Sequence, residues 1–129
     1  MTERPAWETV REFIGRYLPS IDHLDALLLL ARDESRTWTS EEAAAALHYP
    51  PLSCEKVLTD LVRFGLAEIT GNEFRYGPAT DTLRSAVSQL EDLNRKQPVS
   101  LVREIYRQSP SARLFSDAFR LRITEDDNG

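Results

Sequence analysis

The stretch from Leu52 to Tyr76 limits the fold more than any other part of this chain. Val57, Leu58, Leu61 and Val62 recur at the three-to-four spacing of one helix face. Ser53 can cap that helix, because its hydroxyl can accept an otherwise orphaned backbone N–H. Leu52 then stands where it can pack on Val57 as a hydrophobic staple. Gly65 suits the left-handed position that stops a helix. Beyond it Leu66, Glu68 and Thr70 alternate with Ala67 and Ile69, and Phe74 and Tyr76 follow a Gly71-Asn72 turn. The order is a short helix, a glycine stop and a small hairpin.

Two further helices precede this unit. Ser20 is the next N-cap, and Ile21, Leu24, Leu27, Leu28, Leu30 and Ala31 give the helix that runs to about Asp33 a broad apolar face. Trp38 lies in a polar break, where a short strand can pair with the hairpin. Thr39 and Glu42 have the spacing of a capping box, and Ala43 to Ala46 allow another helix to cross closely. Tyr49-Pro50-Pro51 forbids continuation and supplies the turn into the Ser53 helix. The expected class is mainly α with a small β-hairpin.

Helical patterns flank this centre. Trp7, Val10, Phe13, Ile14, Tyr17 and Leu18 form a stripe that ends before Pro19. After Gly77-Pro78, Thr80 or Asp81 caps a longer helix that carries Leu83, Ala86, Val87, Leu90 and Leu93. The pattern resumes at Leu101, Val102, Ile105 and Tyr106, with Pro98 expected to kink or break it. A long helix beyond the hairpin has little core left to cover. Pairing with a second copy through Trp7, Phe13, Leu83, Val87, Leu90, Leu101 and Ile105 would bury its stripe, and a homodimer is expected. The plainer alternative folds this helix back on the first one within a single chain. A last amphipathic element holds Leu114, Phe115, Ala118 and Phe119, with Arg113, Arg120 and Arg122 beside them. The chain thus divides into an N-terminal arm (1–19), a central domain (20–77), a helical dimerisation segment (78–124) and a tail (125–129) expected to be disordered.

Composition sets outer limits. The 129 residues carry a net charge of -5, and 41% are hydrophobic and 29% charged, as in ordinary globular proteins. A lone cysteine, Cys54, excludes an internal disulfide framework and fits a reducing compartment. The apolar run from Leu27 to Ala31 is too short to span a bilayer, so no membrane insertion is expected. Met-Thr-Glu-Arg-Pro lacks the basic start and apolar core of a signal peptide, which leaves the cytoplasm as the expected location.

The succession of helix 20–33, helix 39–47, helix 53–64, Gly65-Leu66 and Phe74-Arg75-Tyr76 resembles the winged helix-turn-helix superfamily of bacterial transcriptional regulators. It is similar in particular to small uncharacterised bacterial proteins of that fold. The carrying residues are Thr39, Glu41, Ala44 and Leu47, then Val57, Leu61, Gly65 and Leu66, and finally Ala118-Phe119-Arg120-Leu121-Arg122. The superfamily pattern covers residues 20 to 77, and the closer one extends to residue 122. The resemblance implies a winged helix-turn-helix domain with N-terminal and C-terminal helical extensions, and a DNA-binding regulator of transcription acting as a dimer. It also implies a ligand pocket between the dimer helices and the domain, which Trp7, Phe13 and Tyr106 could line.

In that reading the Ser53 helix enters the major groove of double-stranded DNA. Its outward positions are taken as Cys54, Glu55, Lys56, Thr59, Asp60 and Arg63. Ser53, Lys56, Thr59 and Arg63 are the contact candidates, and the hairpin adds Asn72 and Arg75. The local charge opposes this. Residues 36 to 77 hold Arg36, Lys56, Arg63 and Arg75 against Glu41, Glu42, Glu55, Asp60, Glu68 and Glu73, whereas phosphate binding relies on positive surface. The alternative is an interaction module or adaptor for a protein partner, using the acidic face or Phe115, Phe119, Arg120 and Arg122. No phosphate loop or zinc-protease motif is present, and no cofactor is implied. His23, His48 and Cys54 are the only histidines and cysteine, with His23 expected at a surface or boundary position; no metal site and no enzyme activity are expected. Cys54 in a first helical turn could have a lowered thiol pKa, which would suit redox sensing.

Overall fold

Local chemistry fixes the helix starts. In the computed structural model, which describes residues 6 to 109, the Ser20 hydroxyl accepts the His23 N–H and opens α2 (Ile21–Arg32). An earlier helix, α1 (Ala6–Tyr17), ends just ahead of Pro19. Strand β1 (Trp38–Thr39) leads into α3 (Ser40–Leu47). Thr39 and Glu42 exchange both capping-box bonds at 3.1 and 2.9 Å, as their spacing predicts. Helix α4 (Pro51–Arg63) follows, and then strands β2 (Ala67–Thr70) and β3 (Glu73–Tyr76). Thr80 caps α5 (Asp81–Lys96), and Pro98 opens α6 (Pro98–Gln108), so the expected break at Pro98 is present.

The end of α4 is set by Gly65. Its φ of 81° lies in the left-handed region, which a side chain disfavours. The Leu66 N–H reaches the Leu61 carbonyl and the Gly65 N–H reaches that of Val62, a Schellman stop. Leu61 and Leu66 are both fully buried beside this turn. The hairpin pairs Thr70 with Glu73 across Gly71-Asn72, and Gly71 has a φ of 61°. Glycine first in a two-residue turn suits the twist of adjoining antiparallel strands. The sheet order is β1-β3-β2, with Trp38 opposite Phe74 and Ile69 opposite Phe74 on the other side. Trp38, Ala67, Phe74 and Tyr76 are buried, whereas Glu68 and Arg75 are exposed.

Helix α2 runs through the centre. It packs on α3, α4, α6 and β3. His23, Leu24, Ala26, Leu27, Leu30 and Ala31 are its buried positions. The described residues are mainly helical, with one small three-stranded antiparallel sheet. No helix among them is long and apolar enough to cross a membrane.

Two expectations are corrected here. The fourth helix begins at Pro51, two residues before the expected Ser53, because proline fits a first helical turn whose N–H needs no partner. Ser53 is therefore exposed inside the first turn and caps nothing, and Leu52 is 82% exposed rather than stapled to Val57. The second correction concerns the flanking helices. Helix α1 packs on α5 and α6, and these two pack on each other. Phe13, Val87, Leu90, Leu101 and Ile105 are buried within one chain, and Trp7 and Leu83 pack partly buried against the same core. The stripe expected to join two copies is thus covered internally, as in the fold-back alternative. Phe115, Phe119, Arg120 and Arg122, with the tail from residue 125, lie outside the described residues.

Leu101 tests this internal packing. Leu101→Ala should cost about 2–5 kcal/mol, read from denaturant unfolding. The midpoint of the parent chain should not move with protein concentration. A midpoint that climbs with concentration would mean that the stripe is shared between copies.

Candidate functional site

Helix α4 buries Cys54, Val57, Leu58 and Leu61 and turns its other side to solvent. Lys56, Thr59 and Arg63 follow each other at intervals of three and four residues, so they form one outward line. Leu52 extends that line by one more turn, and Ser53 and Glu55 flank it. Asn72 is exposed at the hairpin turn and Arg75 on β3. The six DNA-contact candidates all lie on the surface. Helix α4 packs on β2, so the hairpin is its direct neighbour.

The charges on this face are largely matched. Arg63 Nη2 lies 2.7 Å from Asp60 Oδ1, and Arg75 Nη2 lies 2.7 Å from Glu68 Oε2. The Arg36 guanidinium stacks 3.5 Å from the centre of the Trp38 ring. Lys56 has no ion-pair partner among the described residues. Exposed pairs of this kind contribute at most about 1 kcal/mol each. They can open when a stronger anion arrives.

Two of the expected outward positions face elsewhere. Cys54 is buried, three and four residues before Val57 and Leu58 on the core side. Burial pushes its thiol pKa up, and the charge of Asp22 adds to the shift. The first-turn position therefore does not activate Cys54, and the redox expectation falls. Asp60 is half-buried, with its carboxylate turned towards α2.

There it meets His23, which is buried rather than at the surface. His23 Nε2 lies 2.9 Å from Asp60 Oδ2, and Nδ1 lies 2.7 Å from Ser20 Oγ. A carboxylate only accepts, so the neutral tautomer that satisfies both contacts carries its proton on Nε2. The Ser20 hydroxyl then donates to Nδ1 while accepting the His23 N–H. Serine, histidine and carboxylate follow one another as in a hydrolase triad, but with the two ring nitrogens exchanged, since the serine meets Nδ1 and the carboxylate Nε2. Ser20, however, is committed as the α2 cap, and His23 is only 8% exposed. The chain of contacts ties α2 to α4. A second tie sits nearby, where the Tyr49 hydroxyl donates to the Asp25 carboxylate. Burial, followed by the Asp25 contact, pushes the Tyr49 pKa well up. His48 occupies an exposed left-handed position at the end of α3. Among the described residues no group of histidine, cysteine or carboxylate side chains could hold a metal.

A groove of about 760 Å³ runs along α1, between the start of α5 and the end of α6. Of the three aromatic residues expected to line a pocket, Phe13 does so, whereas Trp7 and Tyr106 are not in its lining. Tyr106 is 61% exposed on α6. In comparison with known proteins, no family model matches the chain, and no curated protein or solved structure matches it either.

Two measurements check this geometry. Asp60→Ala leaves His23 buried with one ring nitrogen unpaired and should cost about 1.5–3 kcal/mol, whereas Asp60→Asn, whose amide oxygen can still accept from Nε2, should cost less. Cys54 gives a pH test. Its folded pKa is raised, so its contribution is intact below the unfolded thiol value of about 8.5 and is lost as pH rises through the folded one. The parent should therefore lose more stability than Cys54→Ala as pH rises above about 8.5 in denaturant titrations.

Proposed function

We propose that residues 20 to 77 form a winged helix-turn-helix module that presents α4 to double-stranded DNA, and that the protein regulates transcription. The order α2, β1, α3, α4, β2, β3 supports the module, with α3 and α4 as the helix-turn-helix pair and β2-β3 as the wing. The observation that carries the reading is the exposed line of Lys56, Thr59 and Arg63 on α4. In the docking geometry of such modules, an exposed second helix enters the major groove, and a lysine or arginine there meets phosphate or guanine. Asn72 and Arg75 on the wing supply contacts beside it. Dimerisation through the stripe of α1, α5 and α6 is not part of this proposal, since that stripe is covered within the chain.

A second reading rests on the matched charges. Arg63 with Asp60, Arg75 with Glu68, and Glu55 beside Lys56 make a nearly neutral face, which favours a protein partner over a polyanion. In that case α4 docks on another protein, with the exposed Leu52 as its apolar contact.

Gel retardation of duplexes from the gene's own upstream region separates the two. DNA binding should weaken steeply with salt, and Lys56→Ala should flatten the logarithmic salt slope by about 0.9. Glu55→Gln should tighten binding. Absence of retardation at low salt by the folded chain would overturn the DNA reading. A partner whose capture depends on Leu52 and Lys56 would put the second in its place.

A further inference from the structure

The groove along α1 has a chemistry of its own. Phe13 and Ala86 are buried beneath it, and Tyr17 and Leu83 are half-buried at its sides. The rings of Phe13 and Tyr17 lie 5.0 Å apart and supply the aromatic part of the lining. From Thr9 to Tyr17 the lining follows α1 for roughly 12 Å. At one end Gln108 donates to the Arg11 carbonyl and to Glu104, and its Oε1 lies 2.7 Å from where a Cβ on Gly15 would sit. Glycine at position 15 thus lets α6 close that end.

The rim is cationic, in a chain whose net charge is -5. Arg11, Arg16 and Arg107 all line the groove. Arg11 and Arg107 both pair with Glu104, with Arg11 at 3.6 Å. Glu12, the acid on the same rim, has an interaction of its own. Arg16 is exposed and has no acidic partner among the described residues. Guanidinium matches a carboxylate with two parallel hydrogen bonds. The volume falls within the usual range for small-ligand sites.

We propose that this groove binds a single-chain amphiphile with an anionic head, a medium-chain carboxylate, with its alkyl chain along α1 and its carboxylate on Arg16. The apolar side chains along α1 suit an alkyl chain, and the guanidinium of Arg16 beside them suits an anion. None of its lining residues lies on α4, so the proposal does not rest on whether DNA is bound.

Calorimetric titration of the full chain with decanoate, octanoate and decanol tests the proposal. Decanoate should bind saturably, and each methylene removed should weaken it roughly three- to fourfold. Decanol, of the same length but uncharged, should bind roughly tenfold more weakly, and so should decanoate to Arg16→Ala. Arg32→Ala, which changes an exposed cation on α2, should bind decanoate as the parent does. No saturable binding, equal affinity for decanoate and decanol, or indifference to Arg16→Ala would overturn the proposal. Binding that emerges only after Phe115→Ser and Phe119→Ser are introduced together would overturn it too, and would assign the groove to the chain's own C-terminal segment.

Discussion

The packing of α2 against α4 is the contact on which the other elements depend. Leu24, Leu27 and Leu30 on one helix and Leu58 and Leu61 on the other are almost wholly removed from water. Apolar burial is strong but non-directional, so it would tolerate some rotation of α4 about its axis. The polar ties remove that freedom. His23 holds Asp60 from below, and Asp25 holds Tyr49 at the turn before α4. A buried imidazole with both ring nitrogens engaged accepts few other arrangements. With the inner face of α4 fixed, its outer face is fixed as well.

The remaining layer supports this centre from behind. Helices α1, α5 and α6 pack on one another, and α6 also reaches α2. The strap after β3 reinforces the join, with the Gly77 N–H bonded to the Leu66 carbonyl and the Ala79 N–H to that of Gly65. The chain therefore enters α5 directly from the base of the hairpin. The outer line of α4 and the hairpin turn stay exposed, and none of the residues lining the groove along α1 belongs to either. Two surfaces of different chemistry result. One is polar with matched charges, and the other sets a few apolar side chains beside arginines.

Much of this fold was legible in the sequence because its signals are local. Ser20, Thr39 with Glu42, and Thr80 each bond within three residues, and Gly65, Gly71 and Pro98 act on their own backbone. The start of α4 is ambiguous in the sequence because Ser53 and Pro51 are both good starting residues, and the proline lies further upstream. The inward facing of Cys54 was available in the period, since it precedes Val57 by three and Leu58 by four. The partner of the α5 stripe was not legible. A periodic apolar face reports that something covers it, not whether the cover belongs to the same chain. The pairing of His23 with Asp60 spans 37 positions and leaves no periodic trace, so the best-defined polar contact of the site came from the structure alone.

The order of the sheet bears on how the molecule assembles. Strands β2 and β3 are neighbours in the chain and need only a two-residue turn, so they can zip together on their own. Strand β1 is two residues long and meets its partner across the whole of α3 and α4. Closing that span carries an entropy cost which two ladder positions alone do not offset. Its pairing is therefore sustained only with the helices between packed onto α2. Trp38, the residue it delivers to the interior, makes the seating of β1 a reporter of the finished core.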